Sequence, residues 1–147
     1  MLHVVLKLKM SPEAVAEVNA RGWRKSDEGA AYQRMRMANA SNPDLASHVL
    51  AAALMGLYHH GLTVDAPSID AVFDYDNGAP YDTGVVPSYH CKGLPSMSVG
   101  DIVMDGICAH LCCDNGWVRL PQHAEIAIAV MEARIHEQRP NALVAAA

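Results

Sequence analysis

Cys108, His110 and Cys112 stand two residues apart in the run Cys108-Ala-His-Leu-Cys112. Side chains alternate along a strand, so these three would share one face. Thiolates and imidazoles bind zinc, and a thiolate beside an imidazole is a nucleophile with its base. The spacing works against the metal. At a rise of about 3.3 Å per residue, Cys108 and Cys112 lie roughly 13 Å apart on a straight strand. Zinc bonds of about 2.0–2.3 Å cannot close that gap. A zinc ion would need a bulge, or two of these residues with His90 or Cys91. A thiol enzyme would need Cys91 or Cys113 beside His110, His90 or His123. Four cysteines and eight histidines allow many such pairs and favour none. Free Cys usually behaves as a small buried apolar residue, so the sequence predicts structural thiols, no metal and no cofactor.

Other chemical signals are weaker. Asp74-Tyr-Asp76-Asn-Gly78 opens like a calcium loop, but it lacks a third acidic ligand and the bidentate Glu at the loop end. The chain has no glycine loop that would cradle phosphate and no dinucleotide fingerprint. The cysteines include an adjacent pair and all lie in the second half, a poor disulfide framework. Free thiols in a reducing cytosol are therefore expected. No apolar run approaches the roughly 20 residues that span a bilayer. The opening Met1–Lys9 reads as a strand, not a signal peptide, because its charges follow its apolar run.

The charge is unevenly spread. Residues 1–40 carry seven Lys/Arg against four Asp/Glu, a balance of +3, and residues 41–147 carry four against twelve, a balance of −8. Asp65, Asp70, Asp74, Asp76 and Asp82 follow one another with no Lys or Arg between them. This balance argues against broad contact with a phosphate backbone. It leaves two candidate protein-docking surfaces. One is the acidic segment, with Asp70, Asp74 and Asp76. The other is a basic face with Arg21, Arg24, Arg34 and Arg36.

The elements that must position these residues follow from periodicity and punctuation. Leu2, Val4, Leu6 and Leu8 alternate with Lys7 and Lys9, which predicts a strand with its lysines in solvent. Ser11-Pro12-Glu13 starts a helix that stops near Gly22. Residues 26–40 are weakly helical. Asn42-Pro43-Asp44 opens a helix with the stripe Leu45, Val49, Ala52, Ala53 and Leu57. Its predicted end is Gly61, with His59 and His60 in the last turn. Leu62–Val64 is a short strand, and Asp65 caps a helix over Ala66–Phe73. Residues 77–95 form a long loop. Asp105-Gly106 and Asp114-Asn115-Gly116 are turns that make residues 98–120 a three-stranded meander. Pro121 opens a last helix with Ile126, Val130, Met131 and Ala133 inward. The whole predicts one α+β domain over residues 1–140. An N-terminal strand and three to four helices pack beside a small antiparallel sheet centred on 98–120, with a frayed tail over 141–147.

Residues 63–120 resemble a group of small uncharacterised proteins carried by phages, prophages and plasmids. The matching positions are Ser98, Val99, Gly100, Asp101, Asp105, Gly106, Cys113, Gly116 and Trp117. The match departs at Ile107–Cys112, where an aromatic strand residue would be usual. The resemblance implies a mobile-element accessory protein in a bacterial host, acting without catalysis on a host protein or complex. Inhibition of a defence complex such as a CRISPR effector is its most concrete form. The expectation from a different class is a small thiol- or zinc-dependent enzyme using Cys108, His110 and Cys112. From the residues alone, Gly100 permits a bulge or close packing, and Asp101 bonds a neighbouring turn amide.

Overall fold

The computed structural model describes residues 1–137, and the tail expected at 141–147 lies outside them. Its strands are β1 (Leu2–Leu8), β2 (Tyr58–Asp65), β3 (Val86–His90), β4 (Ile102–Asp105), β5 (Cys108–Cys113) and β6 (Gly116–Arg119). Its helices are α1 (Pro12–Arg21), α2 (Asp27–Arg36), α3 (Leu45–Leu54), α4 (Ile69–Asp76) and α5 (Gln122–Glu137), with a 3₁₀ turn at Trp23–Lys25. The strands form one antiparallel sheet in the order β3-β2-β1-β4-β5-β6. The architecture is α+β, as the sequence predicts. Among the described residues no helix is long and apolar enough to cross a membrane.

The meander forms where its turns place it, but it is one half of the sheet and not the centre. The centre is β1, paired with β2 on one side and β4 on the other. One face of β1 packs Leu6 and Leu8 with Ile102 and Leu111 against Met35, Val49 and Ile128 of α2, α3 and α5. The other packs Val5 with Leu62, Val64 and Val103 under Val72 of α4 and Met97. A strand covered on both faces has no solvent side. Lys7, expected outside, is therefore 1% exposed. Opposite it the β1–β2 register shifts between Val5 and Leu6. Gly61 sits at that shift, where a Cβ would meet the Lys7 side chain at 2.8 Å.

Gly61 is thus a mid-strand residue, not a helix stop. The third helix ends at Leu54, and Gly56 takes the positive φ of 74° that turns the chain. Tyr58, His59 and His60 then join β2, because tertiary pairing overrides the helical stripe that runs on to Leu57. The fourth helix also starts later than expected. Ser68, not Asp65, caps it by accepting the Ala71 amide at 3.1 Å. The long loop contains the edge strand β3. The first two helices begin at Ser11 and Ser26, each hydroxyl accepting an amide three residues on. Along α5 the buried positions are Ala124, Glu125 and Ile128, while Ile126 and Val130 are 59% and 50% exposed. Of the expected inward set, Met131 packs against the core, whereas Ile126, Val130 and Ala133 face out.

Candidate functional site

Cys108, His110 and Cys112 do share a face, the one turned toward α4, since His110 and Cys112 lie opposite Val103 and Trp117 in register. No metal cradle closes on this face: among the described residues, no group of three or more His, Cys, Asp or Glu is placed to hold a metal ion. The four cysteines are free. Burial pushes the Cys112 thiol up to about 11, with the Asp101 carboxylate adding to the effect. Burial also raises Cys113. The thiolate is the reactive form, so these environments suppress nucleophilic chemistry. His110 Nε2 is buried without a hydrogen bond, 3.8 Å from Asp105 Oδ2.

The motif Ser98-Val-Gly-Asp101 lies at the end of a strap, residues 95–101, whose backbone is held mostly by side chains. Lys7 Nζ donates to the Pro95 carbonyl at 2.8 Å and pairs with Asp76 Oδ2 at 2.7 Å. The same Asp76 oxygen accepts the Met97 amide, and Asn77 Nδ2 donates to the Met97 carbonyl. Asp101, fully buried, accepts the amides of Ser98 and Leu8 at 2.9 Å each. Arg36 Nη1 pairs with Asp101 at 3.0 Å and donates to the Val99 carbonyl, and Nη2 donates to the Leu8 carbonyl. Tyr58 donates its hydroxyl to the Gly100 carbonyl at 2.8 Å. Gly100 has φ 95°, and a Cβ there would meet the Met35 carbonyl oxygen at 2.6 Å. The expected roles of Gly100 and Asp101 are present. Burial raises the Asp101 carboxyl above its ordinary range, an effect Arg36 and the two amides only partly offset.

Two residues of the expected docking surfaces are therefore internal. Asp76 is spent on Lys7 and Met97, and Arg36 on Asp101 and the carbonyls of Val99 and Leu8. A buried charge needs a partner, and each found one in the core. Asp70 accepts the Trp117 indole N–H at 3.2 Å, and Asp74 accepts the Tyr81 hydroxyl at 2.6 Å. The basic face keeps Arg21, bridged to Glu17, and the exposed Arg24 and Arg34.

What periodicity did not reveal is a groove. The last turns of α3, the start of β2 and one stripe of α5 enclose a cavity of about 650 Å³ lined by Leu50, Ala53, Leu54, Tyr58, Val130 and Met131, among others. Leu54 on its rim is 90% exposed. A smaller cavity of about 330 Å³, lined by Lys9, Pro12, Glu28 and Met55, adjoins it through the shared residues Gly56 and His59. Desolvation at the cavity wall holds His59 below its ordinary pKa. The available signal was Leu54-Met55-Gly56, an apolar helix end with nothing in sequence to cover it. No family model, curated protein or solved structure matches this chain.

Proposed function

We propose that the protein acts without catalysis, by binding another protein through the groove between α3 and α5. The observation that supports this is the pair of exposed apolar side chains there, Leu54 and Val130, at 90% and 50% exposure. Contiguous exposed apolar surface marks interaction sites in folded proteins. The finer reading is a mobile-element accessory protein that inhibits a host defence complex such as a CRISPR effector. It rests on the resemblance of residues 63–120. The thiol-enzyme alternative is disfavoured by the raised Cys112 and Cys113 thiols.

The test uses tagged full-length chain expressed in a bacterial host. Wild type is compared with Leu54→Asp, Val130→Asp and the double variant Asp70→Asn/Asp74→Asn. The expected result is a stoichiometric protein that co-purifies with wild type and the acid variant and is lost from both groove variants. Retention of that protein by both groove variants overturns the reading. Nuclease assays of a reconstituted effector, with and without the chain, test the inhibitor form.

A further inference from the structure

The sheet ends in two edge strands, β3 and β6, and they are built differently. An edge strand presents unpaired backbone N–H and C=O groups to any strand that can reach them, and proteins blunt it with proline and with register shifts. β3 carries both devices. Pro87 has no N–H, and the pairing with β2 shifts register between Thr63 and Val64. β6 carries neither. It pairs with β5 in unbroken register, from Cys113 opposite Gly116 at the turn to His110 opposite Arg119. Alternation then fixes which backbone groups β6 leaves open. Cys113 and Gly116 close a two-residue turn as a hydrogen-bonded pair, so Val118 also bonds toward β5. The Leu120 amide donates to the Ala109 carbonyl at 2.9 Å and continues that parity. Trp117 and Arg119 therefore point N–H and C=O away from the sheet. Among the described residues, these four groups have no hydrogen bond.

A row of backbone dipoles takes an extended strand, and the side chains of β6 say which one. We infer that β6 pairs with β6 of a second copy, antiparallel about a two-fold axis at Val118, so that two sheets join edge to edge. In that register Trp117 lies opposite the partner's Arg119, and Arg119 opposite the partner's Trp117. Each such pair exchanges both of its bonds, and every open group of β6 is used. Trp117 and Arg119 share the α4 face, because both alternate with Val118. A guanidinium is attracted to the face of an indole, and here no like charges meet. Asp70 ties the Trp117 N–H at 3.2 Å, and Glu125 holds the exposed Arg119 at 3.4 Å, so both side chains are already placed. On the other face Val118 meets the partner's Val118 as the non-hydrogen-bonded pair, where side chains are closest. Pro121 stands at the next outward position and has no N–H, which ends the pairing. An axis at Trp117 would instead set Arg119 against Asn115 of the turn. Isologous two-fold contacts of this kind close on themselves and do not propagate. The inference goes beyond docking at the groove and does not depend on it.

Analytical ultracentrifugation of the full chain over a concentration series reads the association. Wild type is expected as a reversible dimer. Arg119→Ala keeps the open amide and loses the guanidinium, and its dimer should be roughly tenfold weaker. Arg119→Pro loses the amide as well, a change that an outward edge position tolerates, and should be monomeric throughout. Val118→Cys, in a Cys91→Ser/Cys108→Ser background, should form a disulfide between copies on mild oxidation, because directly opposite Cβ atoms lie about 4.5–5.5 Å apart. Arg119→Cys, which faces the partner's Trp117 in this register, should not. Non-reducing gels and peptide mass spectrometry identify the link. A monomeric wild type, a dimer that Arg119→Pro leaves intact, or a disulfide through Arg119→Cys in place of Val118→Cys overturns the inference. A dimer lost in Leu54→Asp and kept in Arg119→Pro also overturns it, by giving the association to the groove. If circular dichroism shows that Arg119→Pro does not fold, the position of the disulfide decides.

Discussion

Lys7–Asp76 and Arg36–Asp101 are two buried ion pairs that grip one strap from either side of the end of β1. Both are close, at 2.7 and 3.0 Å. They differ in how much backbone they also serve. Lys7 and Asp76 satisfy the Pro95 carbonyl and the Met97 amide. Arg36 and Asp101 satisfy the carbonyls of Val99 and Leu8 and the amides of Ser98 and Leu8. The first is mainly an ion pair, and the second mainly replaces a missing sheet ladder. A buried ion pair is often exchanged for apolar residues at little cost, whereas orphaned backbone groups keep their full desolvation penalty.

The largest effects expected are therefore in single replacements of the acids and in their rescue by a second replacement. Asp101→Leu and Asp76→Leu should each lose about 3–5 kcal/mol by leaving a buried cation unpaired. Adding Lys7→Met to Asp76→Leu should recover much of that loss. Adding Arg36→Met to Asp101→Leu should recover little, because four backbone groups remain without partners. Urea unfolding measures all of these, and equal recovery in both pairs breaks the comparison.

The next largest effect sharpens the Asp101 side. Gly100→Ala places a Cβ at 2.6 Å from the Met35 carbonyl oxygen with φ at 95°. A loss of about 2–3 kcal/mol is expected from strain and the forced shift. Gly116→Ala, with φ at 129° and nothing within 4 Å, should lose only about 1 kcal/mol. Thermal unfolding that ranks the two the other way would remove the close approach from the account of the strap.

A third ion pair, half in solvent, extends the contrast. Burial alone would raise the Glu125 carboxyl, but the Ala109 amide and Arg119 overcome it and hold it below the ordinary 4.5. The unfolded chain then takes up this proton first as pH falls. Stability from Glu125 is present above about 4.5 and is lost as pH drops through the lower folded value. Glu125→Gln should flatten that acid limb in a series of melts. An unchanged acid limb would show that Glu125 contributes no such slope.

The smallest effect is chemical. Native protein treated with iodoacetamide at about pH 8 should be labelled at half-buried Cys91 well before Cys112, whose thiol titrates at about 11. Peptide mass spectrometry reads the order, and early labelling of Cys112 would revive a reactive thiol beside Asp101.

Local punctuation was a reliable guide wherever the chain answered to its own neighbours. Ser11-Pro12, the Gly22 stop and the two meander turns all follow from residues within a few positions. Reading failed where a distant element decided. Lys7 alternates like a surface residue, and only the cover of α4 and the presence of Asp76 bury it. His59 and His60 continue a helical pattern until pairing with β1 draws them into a strand. The acidic run looked like a surface because its partners, Lys7, Trp117 and Tyr81, are not all near in sequence. The groove was hidden for the same reason: α5 turns Val130 outward, and the sequence carries no marker of what it leaves uncovered.

The central place of β1 sets an order of events during synthesis. Its partner β2 begins at Tyr58 and its other partner β4 at Ile102. A ribosome adding about 5–20 residues per second leaves β1 with one edge open for roughly 2–8 s after β2 has been made. In that interval Leu6 and Leu8 lack Ile102, Leu111 and Ile128, and the Lys7 ammonium lacks the Pro95 carbonyl. Pairing across so long a separation is slow in itself, because the closure entropy is lost before any contact compensates. The nascent chain is therefore most exposed to strand-edge association, and most in need of a holding chaperone, just before Asp101 emerges to meet Leu8 and Arg36.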